Sequence, residues 1–273
     1  MRLDKFHDWL VHPALRSLDV DGSDFSLAHR RILNGKFMLR QLFDRFYREC
    51  RFLDEQFFRN CPGKRLEIGS GSSFIKETYP DVITSDFKHL PFVDIVQRAE
   101  RMPFLNESLR AIYAINVFHH FPRPREFFHE ILRVLHPGGG VIMIEPYGGC
   151  VGRWLFKNLH QSEGYDAGVS TWEAPTATGP FSLANQALSQ IVFQRDRLQF
   201  EAEFPELVLL LDRPHTHLWY LLSGGVNFRQ LAPDFFTPLI KCAEWALAPF
   251  NRWIALQHTI VLRKVESLPL RSR

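Results

Sequence analysis

The chain has 273 residues, 45% of them hydrophobic and 23% charged, with a formal net charge of +3. That length can bury a full core, and so small a charge with no run of Lys/Arg argues against a nucleic-acid partner. Four cysteines (Cys50, Cys61, Cys150, Cys242) lie far apart with no C-x-x-C spacing, which argues against a zinc site and a disulfide framework and makes the cytoplasm the expected location.

The opening residues lack the apolar run of a signal peptide, and no stretch reaches the roughly 18 apolar residues of a spanning helix, so no transmembrane segment is expected. Residues 1–60 read as a helical cap. Leu39, Leu42, Phe43, Phe46, Cys50 and Leu53 recur at three- and four-residue spacing until Pro62-Gly63 breaks the pattern. From residue 64 strands alternate with helices. "RLEIG" is a strand, "SFIKETYP" a short helix, "DVITSD" and "VDIVQ" strands two and three, and "RAIYAINVF" strand four. "PREFFHEILRVL" is an amphipathic helix, "HPGGG" its expected left-handed cap, and "VIMIEP" a fifth, doubly buried strand. "RDRLQFEAEF" reads as a helix, "ELVLLL" as strand six and "WIALQHTIVLRKV" as the last strand. The pattern predicts an α/β fold with a doubly wound, mostly parallel sheet. With no linker in sight, residues 1–273 are expected to form one domain, with a core over 64–146 and insertions at 147–192 and 212–252.

The stretch "RLEIGSGSSF" (65–74) places glycines at the carboxyl end of strand one, where open α/β sheets bind ligands. The spacing Gly69-x-Gly71-x-x-Phe74 is not a dinucleotide fingerprint, because Phe74 is too large for the last position. A Walker lysine is missing as well.

An acid ahead of the glycines, Glu67-x-Gly69-x-Gly71, resembles motif I of class I S-adenosylmethionine-dependent methyltransferases. Asp86 ends strand two, "AERMPF" (99–104) resembles the adenine-side segment, and "AINVFHHFPRP" (114–124) the strand-four motif of the small-molecule group. "EILRVLHPGGGVIMIEP" is similar to the turn and fifth strand that follow. The resemblance covers residues 64–146. It implies a seven-stranded sheet with an antiparallel last strand, S-adenosyl-L-methionine as cofactor, and cofactor contacts from Glu67, Gly69, Ser70, Gly71, Asp86, Phe87, Ala99, Glu100, Met102, Asn116 and Val117. The chain departs from the family at Ser73, where a third glycine is usual, and at Arg98 and Arg110, where acids are common. The start "HRRILNGKF" and the later "WYLLSGGVNFRQL" also resemble bacterial members found among surface-polysaccharide genes.

Methyl transfer to oxygen or nitrogen calls for a base. His119 and His120 follow strand four and Glu145 ends strand five, which makes these three the catalytic candidates. Tyr47, Tyr147, His160, Trp172 and Tyr220 are candidate substrate contacts, and Lys36, His215 and His217 are further residues within possible reach. Both insertions leave from the carboxyl edge and are rich in aromatics. They suit a lid over a small-molecule, saccharide or lipid-linked acceptor, or a peripheral contact with a membrane. With no acidic cluster at the strand ends, no metal is expected. Oxygen is the favoured acceptor atom. N-methylation, or a non-catalytic protein that binds the cofactor or S-adenosylhomocysteine and works through a partner, is the alternative.

Overall fold

The structure, a computed structural model, describes residues 7–159, 163–174 and 184–266. His160 lies outside them. Two helices open the described chain, α1 (Ser23–Gly35) and α2 (Phe37–Phe57), separated by the extended backbone of Lys36. The helical spacing of Met38, Leu39, Leu42, Phe43, Phe46, Tyr47, Cys50 and Leu53 puts them all on the buried face of α2. There they pack on Phe74, Val82, Tyr113, Ile142 and Ile144 of the sheet layer. Burial of a side chain the size of Phe46 contributes on the order of 1.5–3 kcal/mol.

The remaining elements are β1 (Lys64–Ile68), α3 (Ile75–Thr78), β2 (Val82–Asp86), β3 (Ile95–Val96), β4 (Leu109–Ile115), α4 (Pro124–Val134), β5 (Leu135–Pro146), α5 (Cys150–Asn158), α6 (Arg197–Glu203), β6 (Leu207–His215), α7 (Leu218–Ser223), α8 (Thr237–Leu247), α9 (Asn251–Ile254) and β7 (Gln257–Lys264). A helical turn at Leu188–Gln190 runs on as a π-helix over Ile191–Arg195. The seven strands form one sheet in the order β3-β2-β1-β4-β5-β7-β6. The pairs from β3 to β5 are parallel, and β7 runs antiparallel to both of its neighbours. The sheet is therefore the doubly wound one expected, with an antiparallel β7.

Alternation along β4 shows that the sheet is covered on both faces. Leu109, Ile112 and Ala114 join the cluster around Phe127, Phe128 and Phe193, while Ala111, Tyr113 and Ile115 join the α2 side. The departure at Arg110 has a structural explanation. Asp54 of α2 is fully buried and accepts from Arg110 Nε at 2.7 Å, Arg65 Nε at 2.5 Å and Tyr113 Oη at 2.8 Å. The carboxylate that pairs these strands' cations comes from a helix instead of from β4.

Three local expectations need correction. "HPGGG" is not a left-handed cap: α4 passes at Leu135, with extended backbone, straight into β5, which contains all five residues. Strand three shrinks to Ile95–Val96, because the chain turns at Pro91–Phe92 and bends at Asp94 before pairing with β2. The last strand starts at Gln257, since Trp253 and Ile254 end the short helix α9. Among the described residues, no helix is long and apolar enough to cross a membrane.

Candidate active site

The chain leaves β1, runs to β2 and β3 on one side, and returns to β4 on the other, so the switch point lies between the carboxyl ends of β1 and β4. A cavity of about 700 Å³ opens there. Its floor comes from the turns after β1, β2 and β4. Ser26 and His29 of α1 close one side, with His29 Nε2 2.8 Å from Asn227 Oδ1 across the opening. Phe156 of α5, Glu163, Gln186 and Tyr220 of α7 complete the wall.

Gly69 and Gly71 both line this cavity, and Gly69 is required there. Gly69 has φ +66°, and a Cβ on it would collide with the Val117 side chain. A Cβ on Gly71 would reach within 3.2 Å of Asp86 Oδ2 and fill the gap between turn and carboxylate. Asp86 ends β2, and its Oδ1 accepts the Lys88 amide at 2.9 Å. Burial raises its pKa. Phe87, Ala99, Glu100, Asn116 and Val117 line the cavity as well.

Glu67 and Ser70 lie just beneath this lining. Ser70 Oγ donates to the Glu67 carbonyl and accepts from the Ser85 amide, bracing the turn against β2. Glu67 Oε1 accepts from Ser73 Oγ at 2.9 Å, but Oε2 is buried without a partner. Burial pushes the Glu67 carboxyl up to about 7. Met102 is elsewhere, in the core beside Phe127 and Phe128.

The histidines sit on the turn after β4. His119 is 3% exposed, and its Nδ1 lies 2.7 Å from Glu145 Oε2. Glu145 is wholly buried beneath that turn, and it also accepts the amides of Val117 and Phe118 at 2.8 Å and of His119 at 3.3 Å. With Glu145 held below the usual carboxylate range by His119 and these amides against the cost of burial, Nδ1 carries the proton and Nε2 faces the cavity. There Nε2 meets Glu163 Oε2 at 3.4 Å. Burial alone would lower the His119 pKa, but the Glu145 and Glu163 carboxylates outweigh it and raise it to about 9. His120 lies beside it, its ring tilted by 39° with centroids 4.1 Å apart, and its Nε2 is 4.0 Å from Glu163 Oε1. Each of His119, His120 and Glu163 offers a ligand atom within 4.8 Å of the others, a cluster able to hold a cation that the sequence reading did not foresee.

Residues 66–143 match the model of a methyltransferase domain family. Over those residues the chain carries a methyltransferase domain. The chain is 44% identical over 52 residues (19% of it, 20% of the relative) to the "Probable phthiotriol/phenolphthiotriol dimycocerosates methyltransferase 2" of Mycobacterium ulcerans. It is 27% identical over 143 residues (50% of it, 33% of the relative) to the sterol 24-C-methyltransferase of Debaryomyces hansenii. The chain thus spans between a fifth and a third of the length of these curated relatives. A solved SAM-dependent methyltransferase from Archaeoglobus fulgidus aligns at 13% identity with a TM-score of 0.47, covering 82% of this chain and 94% of that one.

The cradle fits the cofactor of such a domain. The orphaned Glu67 Oε2 and the bare Cα of Gly71 beside Asp86 leave room and unspent polarity at the glycine turn. Gln97 and Gln257, both cavity-lining, likewise bury an unpartnered side-chain oxygen.

Other candidates are not part of the cavity wall. Tyr47 is buried, its hydroxyl 3.0 Å from Ser73 Oγ and accepting the Phe74 amide, so it braces the glycine turn from behind. Tyr147 donates to the Arg252 carbonyl, and Trp172 is buried with Nε1 bonded to Asp196. Lys36 ties down the carbonyls of Ser223, Gly225 and Phe228. His215 bonds to Thr216 and Thr259, and burial pushes its pKa down to about 4. Tyr220 alone of the described substrate candidates lines the cavity. Glu163, Gln97, His29 and Asn227 were missed: Glu163 and Gln97 stand in no site motif, while His29 and Asn227 lie within "HRRILNGKF" and "WYLLSGGVNFRQL", whose resemblance assigned no residue a role.

Proposed function

We propose that the chain transfers a methyl group from S-adenosylmethionine to a hydroxyl oxygen of an apolar or amphipathic acceptor, with His119 taking the proton. The observation that carries this reading is the Glu145–His119 pair, whose Nε2 opens on the cavity beside the glycine turn. Asp86 would hold the ribose hydroxyls, the Gly69–Gly71 turn the methionine portion, and Gln97, Ala99 and Glu100 the adenine side. When bound, the cofactor supplies an already activated methyl group, so the protein's task is positioning, exclusion of water and proton transfer.

Neutral His119 presents a lone pair at Nε2. An acceptor hydroxyl that replaces Glu163 against this nitrogen loses its proton there as its oxygen gains the methyl. Glu145 then compensates the imidazolium. Glu145 is a positioning residue, sealed from the cavity by the turn that it anchors. Residues 147–192 and 212–252 serve as the lid, contributing Phe156, Glu163, Gln186, Tyr220, Val226 and Asn227 to the wall. The names of the two relatives, on dimycocerosates and on sterols, support an apolar acceptor.

The test is incubation with methyl-labelled cofactor and a panel of sterols, glycolipids and long-chain alcohols, followed by product analysis. Label at an oxygen of one of these with stoichiometric S-adenosylhomocysteine supports the reading. Label on carbon or nitrogen overturns the acceptor atom. Cofactor binding without turnover of any acceptor class points to the non-catalytic alternative.

A further inference from the structure

Helix α8 has its amphipathicity reversed. Thr237, Ile240 and Glu244 are its buried residues, whereas Pro238, Leu239, Cys242, Trp245 and Ala246 face outward. Leu239 is 65% exposed and Trp245 82%. The surface continues through exposed Ala248, Pro249 and Phe250 to Trp253 of α9. Helix α9 packs against α5, which exposes Val151 and Trp154. A helix bordering water normally turns its apolar side inward, and an unbroken apolar run over successive elements marks a contact surface.

The charge on this face identifies what it contacts. Helices α5, α8 and α9 carry Arg153, Lys157, Lys241 and Arg252, all exposed. Their one acid, Glu244, is buried and accepts the amides of His217 and Trp219. A second copy meeting this face through a two-fold axis would set cations against cations. Exposed indoles and a phenyl ring, with Arg153, Lys157 and Arg252 exposed beside them in sequence, Lys241 turned toward Gln41 and Trp219, and no exposed carboxylate on the three helices, suit the headgroup layer of an anionic bilayer.

We propose that α8, α9 and the outer face of α5 form a docking surface for anionic phospholipid bilayers. The surface adjoins the cavity: α5 turns Phe156 inward and Trp154 outward, and Leu256, three residues past Trp253, lines the cavity. An acceptor resident in the bilayer would therefore enter beside α5. That last step rests on the acceptor class proposed above; the docking itself does not.

The experiment is co-sedimentation of the full chain with phosphatidylcholine vesicles, with and without a one-third share of phosphatidylglycerol, at low and high salt. The wild type is expected to sediment with the anionic vesicles and to be released by salt. A Trp245→Asp/Trp253→Asp variant, with unchanged melting temperature and cofactor affinity, is expected to lose binding about tenfold or more. Failure of the folded wild type to bind either vesicle overturns the proposal, as does undiminished binding by the variant. A dimer in light scattering that the variant disperses, without vesicle binding, overturns it in favour of a second copy. Cofactor affinity and turnover are read separately, so loss of the methyl-transfer reading leaves the vesicle result standing.

Discussion

Glu145 Oε2 lies 2.7 Å from His119 Nδ1, and the same carboxylate holds three backbone amides of the turn on which His119 sits. One buried acid thus fixes both the tautomer and the position of the proposed base. His119→Ala is expected to lower kcat by about 10²–10⁴, with cofactor affinity kept. His120→Ala, which leaves the Glu145 pair intact, is expected to cost less than about tenfold. Single-turnover rates with calorimetric cofactor affinities check both. Full activity in His119→Ala removes this base from the mechanism.

The pH profile gives a second test. If His119 is the base proposed above, activity requires its neutral form, and the rate should climb with pH toward the value of about 9 to which its carboxylate neighbours raise it. Glu163→Gln removes one of the charges that raise that value, so the acidic limb should move to lower pH. A limb that stays in place assigns the titration to another group. The same shift governs stability: the His119 contribution is fully present below its ordinary value near 6.5 and is lost as pH rises through about 9.

The strands of the mostly parallel sheet and the glycine turn were legible because each rests on local pattern, whereas the strand order came only with the structure. A near-continuous apolar run reads β4 as a strand buried on both faces, and Gly69 sits where a Cβ would collide with Val117. The wall opposite was not legible. Glu163 reaches His119 across 44 positions of chain through a segment without hydrophobic period, so nothing local marks it. Tyr47 and Trp172 misled for the converse reason: an aromatic with a polar tip reads alike whether that tip meets a ligand or a buried partner such as Ser73 or Asp196.

Asp86 carries the cofactor prediction. Asp86 lines the cavity, and a Cβ added at Gly71 would come within 3.2 Å of its Oδ2. Loss of two charge-assisted hydrogen bonds, at about 1.5–3 kcal/mol each, should weaken S-adenosylmethionine and S-adenosylhomocysteine alike in Asp86→Ala, by about a hundredfold or more. Isothermal titration of a folded variant that keeps wild-type affinity would falsify the assignment.

Glu67 gives a prediction in the free protein. Its folded value of about 7, against an ordinary 4.5, means that its contribution to stability is complete below about pH 4.5 and lost as pH rises through 7. Above that, an ionised carboxylate with a bare Oε2 burdens the fold by roughly 3 kcal/mol. Glu67→Gln should flatten the decline in melting temperature between pH 5 and 7 while weakening cofactor binding. An unchanged decline would place the titration elsewhere.

Divalent metal separates a proton-transfer site from a metal site. His119 already has Nδ1 against Glu145 and Nε2 facing Glu163, an arrangement complete with protons alone. Activity is therefore expected to survive exhaustive dialysis against a chelator. Added Zn²⁺ should inhibit, because His119 Nε2, His120 Nε2 and the Glu163 carboxylate stand close enough to share one ion, with Glu145 fixing the His119 ring from behind. Inhibition should weaken in His120→Ala and at lower pH, where protons compete for the same nitrogens. Loss of activity on chelation, restored by one equivalent of metal, would make the cluster a cofactor site and retire His119 as the base.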